Sequence, residues 1–267
     1  MDRILSNAPV FLLIFARCLA LLMTLPLFST RAVSRIARIA FAGYMAFFIL
    51  GNVDFEQYSA FMGTDGAFSI YFIFLVLGEA GIGVIMGFYI TIIFSAFSTA
   101  GQFTAFQMGF SAASTYDAMA QVENPLMGQF FNFIAMIVFM QTKGFQRLFL
   151  GGLTASFKTI TAISIAESTQ SLVTFMLKGL TKLFADALII ALPVMGTLLL
   201  ITICTGLLSK AAPQMNLLSE GFPIMILTAF LLIFILLEPM TDFFNRSFES
   251  GFKALEDLFA GIGQRIQ

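Results

Sequence analysis

Histidine is absent from this 267-residue chain. That removes the usual general base, the commonest metal ligand and the middle member of a hydrolase triad. Cysteine occurs only twice. Cys18 and Cys204 each sit inside an apolar run, without the C-x-x-C spacing of a metal or redox site, and read as buried thiols acting as small hydrophobes. Charge is scarce as well: Asp, Glu, Lys and Arg make up 11% of residues, against about 25% in an ordinary soluble domain. The net charge of −1 gives no footprint for nucleic acid. An enzyme is therefore not expected, and neither a cofactor nor a metal is implied.

Apolar residues fill the space that these absences leave. They make up 59% of the chain, with a mean hydropathy of +0.94, so an integral membrane or membrane-derived protein is expected. Lipid admits only helices or closed barrels, and the long apolar runs lack the period-2 alternation of a barrel, so the fold class reads as all-α. Pro9–Phe28 is long enough to cross a ~30 Å hydrocarbon core. No A-x-A-type site follows it, so it reads as a retained span rather than a cleaved signal. Ile39–Leu50 would reach about 18 Å, too little to span, whereas Phe68–Phe97 would reach about 45 Å. Pro125–Met140 is marginal, Leu183–Leu208 ample and Phe222–Met240 adequate.

The charges follow no simple topology. Arg31, Arg35 and Arg38 cluster after the first run, and Asp54, Glu56 and Asp65 precede the third. The positive-inside rule then puts the N-terminus outside, but it also leaves Lys143, Arg147 and Lys158 on the disfavoured side. From Ile39 to Thr142 there is no Lys or Arg, although Glu79, Asp117 and Glu123 lie there with the three loop acids. Such carboxylates must face water, be protonated or meet a cation elsewhere, including on another chain.

Thr99–Asn124 is the most unusual stretch: rich in Gly, Ala, Ser, Gln and Met, free of Lys and Arg, and ended by Pro125. A polar but uncharged segment of small residues suits irregular backbone buried in protein or lining a cavity. Gln107, Met108, Gly109, Phe110, Ser114, Tyr116, Asp117, Met119 and Asn124 are its candidate gate residues. Methionine adapts to varied surfaces, as a seal over diverse passing chains requires.

Arg17 lies in mid-run, where an unpaired charge costs several kcal/mol unless it snorkels to water, so an assembly role is expected with Glu79 or Asp186 as intrachain partner. Gly83 and Gly87 form a GxxxG pair that lets another helix approach closely. Pro193 should kink its span. Pro213 and Pro223, with Gln214, Asn216 and Gly221, bracket the tip of a hairpin made of Leu183–Leu208 and Phe222–Met240. In the tail, Phe244, Phe248, Phe252, Leu255, Phe259, Ile262 and Ile266 recur at helical spacing, and Glu249 and Lys253 form an i,i+4 pair. Such an amphipathic helix suits docking onto headgroups or a protein partner through Phe248, Phe252 and Phe259.

A run of motifs resembles the FliR family of the flagellar type III protein export gate, which is related to SpaR and YscT of injectisomes. These are Arg17–Ala20 with Pro26 and Arg31-Ala32; Gly83–Phe88; Ala100-Gly101-Gln102 with Gln107-Met108-Gly109; Asn124-Pro125; Leu192-Pro193; Gly206–Lys210; Ala212–Asn216; and Gly221-Phe222-Pro223. The resemblance implies a gate built with several FliP and FliQ copies, rising partly out of the bilayer, with FlhB wrapped around it. It implies a FliP-like part over residues 1–180, a FliQ-like hairpin over 181–240 and an amphipathic helix over 241–267. The family's pore plug maps onto Met108–Asn124, except that Asp117 is followed by Ala118 where the family often has Asp-Pro. Transient unfolded export substrates, membrane lipid, a bacterial inner-membrane location and the flagellar basal body complete the expectation. Energy would come from the proton-motive force and a separate ATPase.

Two other classes compete. A small-solute or ion transporter would use Arg17, Glu79 and Asp186 as its pathway, but the internal repeats usual in transporters are not visible. A membrane enzyme lacks histidine and any paired polar constellation.

Overall fold

A computed structural model describes residues 8–29, 33–51, 70–109, 126–211 and 217–263. Among the described residues all regular structure is helical, with no strand. Helix α1, Ala8–Thr24, stops before Leu25-Pro26, because proline fixes its own φ and pushes the preceding residue out of the helical region. A four-residue helix, α2, Pro26–Ser29, follows. The span expected over Pro9–Phe28 is thus interrupted, and α1 alone covers about 26 Å. Its buried residues Val10, Leu13, Ile14, Arg17, Cys18, Leu21 and Leu22 fall at helical spacing on one face. Helix α3, Arg35–Leu50, packs against α1 and is capped by the Ser34 hydroxyl, which accepts from the Ala37 N–H.

Helix α4, Ile70–Gln107, has 38 residues. It continues well past Phe97, so the first part of the polar stretch is helix rather than irregular backbone. Ala, Ser, Thr and Gln break no helix, and the Thr104 hydroxyl donates back to the Ala100 carbonyl at 3.0 Å, satisfying itself within the helix. The helix ends where Gly109 turns left-handed at φ 83°.

Helix α5, Leu126–Gln141, is followed by a turn with Lys143 at φ 57°, then by α6, Gly144–Gln146, and a π-helical turn, Arg147–Leu153. Helices α7, Thr154–Thr159, and α8, Ala162–Glu167, complete this region, the latter entered through a Thr161/Ser164 capping box. Helix α9, Thr169–Ala211, has 43 residues, begins well before Leu183 and runs unbroken through Pro193. The expected run Phe222–Met240 is divided between α10, Leu217–Ile235, and α11, Leu237–Gly263, which meet at a 62° bend. Pro239 supplies no N–H for the Ile235 carbonyl, which explains the break. Pro223 lies inside α10.

By length and composition α4 and α9 can each cross a membrane, and the bent pair α10–α11 adds a third span if counted as one. Helices α1 and α5 are apolar but shorter. The protein is an all-α membrane protein.

The chain forms two interleaved compact units. The first comprises Met1–Ile92, Lys143–Gly179 and Glu249–Gln267, and the second Ile93–Thr142 and Leu180–Phe248. In the first, Leu13, Phe72 and Leu75 cluster with Val76 and Ala162. A second group in that unit joins Phe28, Phe41, Phe145 and Phe149, with ring centroids 4.4–6.0 Å apart.

In the second unit Phe248 stands 5.0 Å from Phe94, 5.3 Å from Phe97 and 5.2 Å from Phe139, while the Phe244 ring lies tilted against Phe97 with centroids 4.1 Å apart. Phe244, Phe248, Phe252, Leu255, Phe259 and Ile262 are all buried in the chain itself, and Arg246, Glu249, Lys253, Glu256 and Asp257 face outward. The tail stripe is therefore intrachain core and not a free docking face. Glu249 reaches Arg147 at 3.3 Å rather than settling on Lys253; both partners are half exposed, so the pair contributes about 0–1 kcal/mol.

Candidate functional site

The site begins where α4 lies against α1. A Cβ on Gly83 would collide with the Arg17 carbonyl and stand 3.0 Å from Ala20, and one on Gly87 would collide with the Thr24 hydroxyl. Glycine at both positions lets the two backbones meet, and the Thr91 hydroxyl then donates to the Thr24 carbonyl at 2.8 Å. Gly81, in the same run, faces open space. Gly87→Leu is expected to force α1 off α4 and cost about 1–3 kcal/mol, as overpacking does. Gly81→Leu should leave thermal unfolding in detergent unchanged. Equal melting of both variants would contradict the close approach.

Arg17 is carried into this contact and is fully buried. Its Nε donates to Glu79 Oε2 at 2.7 Å, and Nη2 makes the ion pair with the same oxygen. Nη1 donates to Ser156 Oγ at 2.8 Å, and Nη2 also donates to the Ile160 carbonyl at 3.0 Å. The Ser156 hydroxyl in turn donates to the Leu153 carbonyl at 2.6 Å. The guanidinium carbon lies 4.0 Å from the centre of the Phe157 ring. Every nitrogen of the group is engaged, and the ion pair is neutral overall. The arrangement ties α1, α4 and α7 together.

Glu79 is thus the partner that Arg17 takes. Asp186, nearly buried on α9, accepts instead from the Ser247 hydroxyl at 2.6 Å, within the second unit. Ser156, Phe157 and Ile160 were not singled out by sequence, and no local pattern marks them. Cys18 is buried as expected, but Cys204 is exposed on α9. Among the described residues no three Asp, Glu or Cys side chains gather at metal-binding spacing.

Of the candidate gate residues, Gln107 closes α4, Met108 is fully buried and Gly109 carries the left-handed turn. Phe110, Ser114, Tyr116, Asp117, Met119 and Asn124 lie outside the described residues, as do Pro213, Gln214 and Asn216. The same holds for Arg31, Asp54, Glu56, Asp65, Glu123 and Ile266. Gly221 is buried and Pro223 exposed near the start of α10.

Similarity to known proteins extends over this whole framework. The model of the bacterial export proteins, family 1, matches residues 8–251. The chain is 27% identical to flagellar biosynthetic protein FliR of Bacillus subtilis (strain 168) over 265 residues, which is 98% of this chain and 99% of that protein. It is 30% identical to the FliR of Borreliella burgdorferi over 197 residues, 72% of each chain. It is 31% identical to the surface presentation of antigens protein SpaR of Shigella sonnei over 163 residues, 61% of this chain and 62% of that one. With most of its length matched in this way, the chain belongs to family 1 of the bacterial export proteins.

Proposed function

We propose that this chain is a core subunit of the flagellar type III protein export gate. With FliP and FliQ homologues it forms the channel through which unfolded flagellar proteins cross the inner membrane at the basal body, and an FlhB homologue contacts the assembled gate. Residues 1–180 serve as a FliP-like part and 181–240 as a FliQ-like hairpin. The subunit is structural and catalyses nothing. Similarity to FliR proteins over 98% of the chain supports the flagellar assignment, whereas the SpaR match covers 61%.

The observation that carries the gate reading is the end of α4. A long apolar helix ends at buried Met108 and left-handed Gly109, and hands over to a cation-free segment of small and polar residues up to Asn124. In this reading that segment closes the channel at rest. Removing residues 110–124 should raise the leak of small ions across the membrane while the complex still assembles. An equally tight membrane around an intact complex would remove the gate role.

A further inference from the structure

Two basic segments far apart in sequence meet at one end of the first unit. The Phe41 ring of α3 stands 5.8 Å from those of Phe28 and Phe145, and 6.0 Å from that of Phe149. Arg38 lies one helical turn before Phe41, and Arg35 one turn earlier still. Lys143 and Arg147 flank Phe145 in sequence. The ring contacts therefore bring both segments to one level, and the cations that the topology rule divides between two faces share a single one. Arg35, Lys143 and Arg147 are exposed. Arg38 is half-buried, with Nη2 donating to the Val33 carbonyl at 3.0 Å and Nη1 3.8 Å from the Met23 sulfur. Glu249 meets Arg147 here, but an exposed pair of that kind is too weak to cancel the group.

The surface next to these cations is apolar. Ile36 is 80% exposed, and Ile39, Tyr44, Phe47 and Phe48 are exposed along the rest of α3. Ala42, Met45, Ala46 and Ile49 are buried, and α3 packs on α1, so the helix has one covered face and one open apolar face. Its 16 residues reach about 24 Å, less than a ~30 Å hydrocarbon core, which suits entry from one side only.

We propose that Arg35, Arg38, Lys143 and Arg147 form a docking surface for anionic phospholipid headgroups, with the open face of α3 standing among the acyl chains. Charge complementarity selects the occupant, because basic side chains at a membrane surface attract anionic lipid. One lipid molecule satisfies both parts of the surface, its headgroup on the cations and its chains on Ile39, Phe47 and Phe48. The inference needs only that the chain is a membrane protein and stands apart from the gate reading.

The test uses the full chain, with whatever copurifies, in a neutral detergent. Thermal unfolding is followed while phosphatidylglycerol, phosphatidylcholine or soluble glycerol phosphate is added, since a ligand of the folded state raises the melting temperature. Phosphatidylglycerol is expected to act at a lower concentration than phosphatidylcholine, and glycerol phosphate to have no effect. Arg35→Gln combined with Lys143→Gln should reduce that preference about fivefold for each charge removed. Arg35→Lys combined with Lys143→Arg should keep it, and so should Lys210→Gln, which removes an exposed cation of the second unit. Should the double Gln variant fail to fold, Lys143→Gln alone carries the comparison. Equal response to the two lipids in the wild type overturns the proposal, as does an unchanged preference in the Gln variants. Equal stabilisation by glycerol phosphate assigns the surface to a soluble anion and overturns the lipid. Loss of a copurifying chain from the Gln variants, with the lipid preference kept, assigns it to protein and also overturns the proposal.

Discussion

Arg17→Leu is expected to leave little folded, assembled protein. The substitution removes one half of a fully buried ion pair and abandons Glu79, the Ser156 hydroxyl and the Ile160 carbonyl together. Breaking such a pair from one side costs about 3–5 kcal/mol, which is a large share of the ~5–15 kcal/mol that holds a typical fold. Arg17→Lys keeps the charge but cannot reproduce the planar fork, so it should lose the Ser156 or the Ile160 contact and retain the pair with Glu79. It should cost about 1–2 kcal/mol, in line with one or two hydrogen bonds. Glu79→Gln should resemble Arg17→Leu, because it strands a buried cation.

The double variant Arg17→Met with Glu79→Leu is the informative control. Replacing both charges by apolar groups of similar volume is often neutral, so much of the loss should be restored. Thermal unfolding in detergent and the amount of complex on a native gel check all four variants. Wild-type stability in Arg17→Leu would show that the pair holds nothing together.

Phe248→Ala is expected to unfold the second unit. The ring is buried against Phe94, Phe97 and Phe139 within 5.0–5.3 Å, and removing it leaves a cavity bounded by three other rings. The far side of α11 is polar and exposed, so a transfer contribution adds to the cavity, and the sum is about 3–5 kcal/mol. Glu256→Ala, on the exposed face, should change stability by no more than about 0.5 kcal/mol. A docking face would give a different signature, with Phe248→Ala melting normally but losing its partner. Melting curves of the purified chain separate the two outcomes.

The periodicity of the tail was legible because helical spacing depends only on local order. What covers the stripe was not, since spacing names a face and not its neighbour. Arg17 stood out because a charge in an apolar run is costly anywhere, and Glu79 was among the few carboxylates able to offset it. Ser156, 139 residues away, carries no mark that distinguishes it from a surface serine until the fold brings it to Nη1. The first polar residues after Phe97 read as irregular because composition was taken for conformation. Ala, Gln and self-bonded Thr104 are helix-compatible, so α4 continued to Gln107. Pro26 and Pro239 could have set the ends of α1 and α10 more closely than the apolar runs did.

Copurification tests membership of the gate most directly. The chain, tagged at its C-terminus, is extracted from its native cell in mild detergent, and whatever travels with it is identified by mass spectrometry. FliP and FliQ homologues in one large, stable particle are the expected result. A lone small species, or a homodimer without them, would contradict the gate assignment and return Arg17, Glu79 and Asp186 to consideration as a transport pathway.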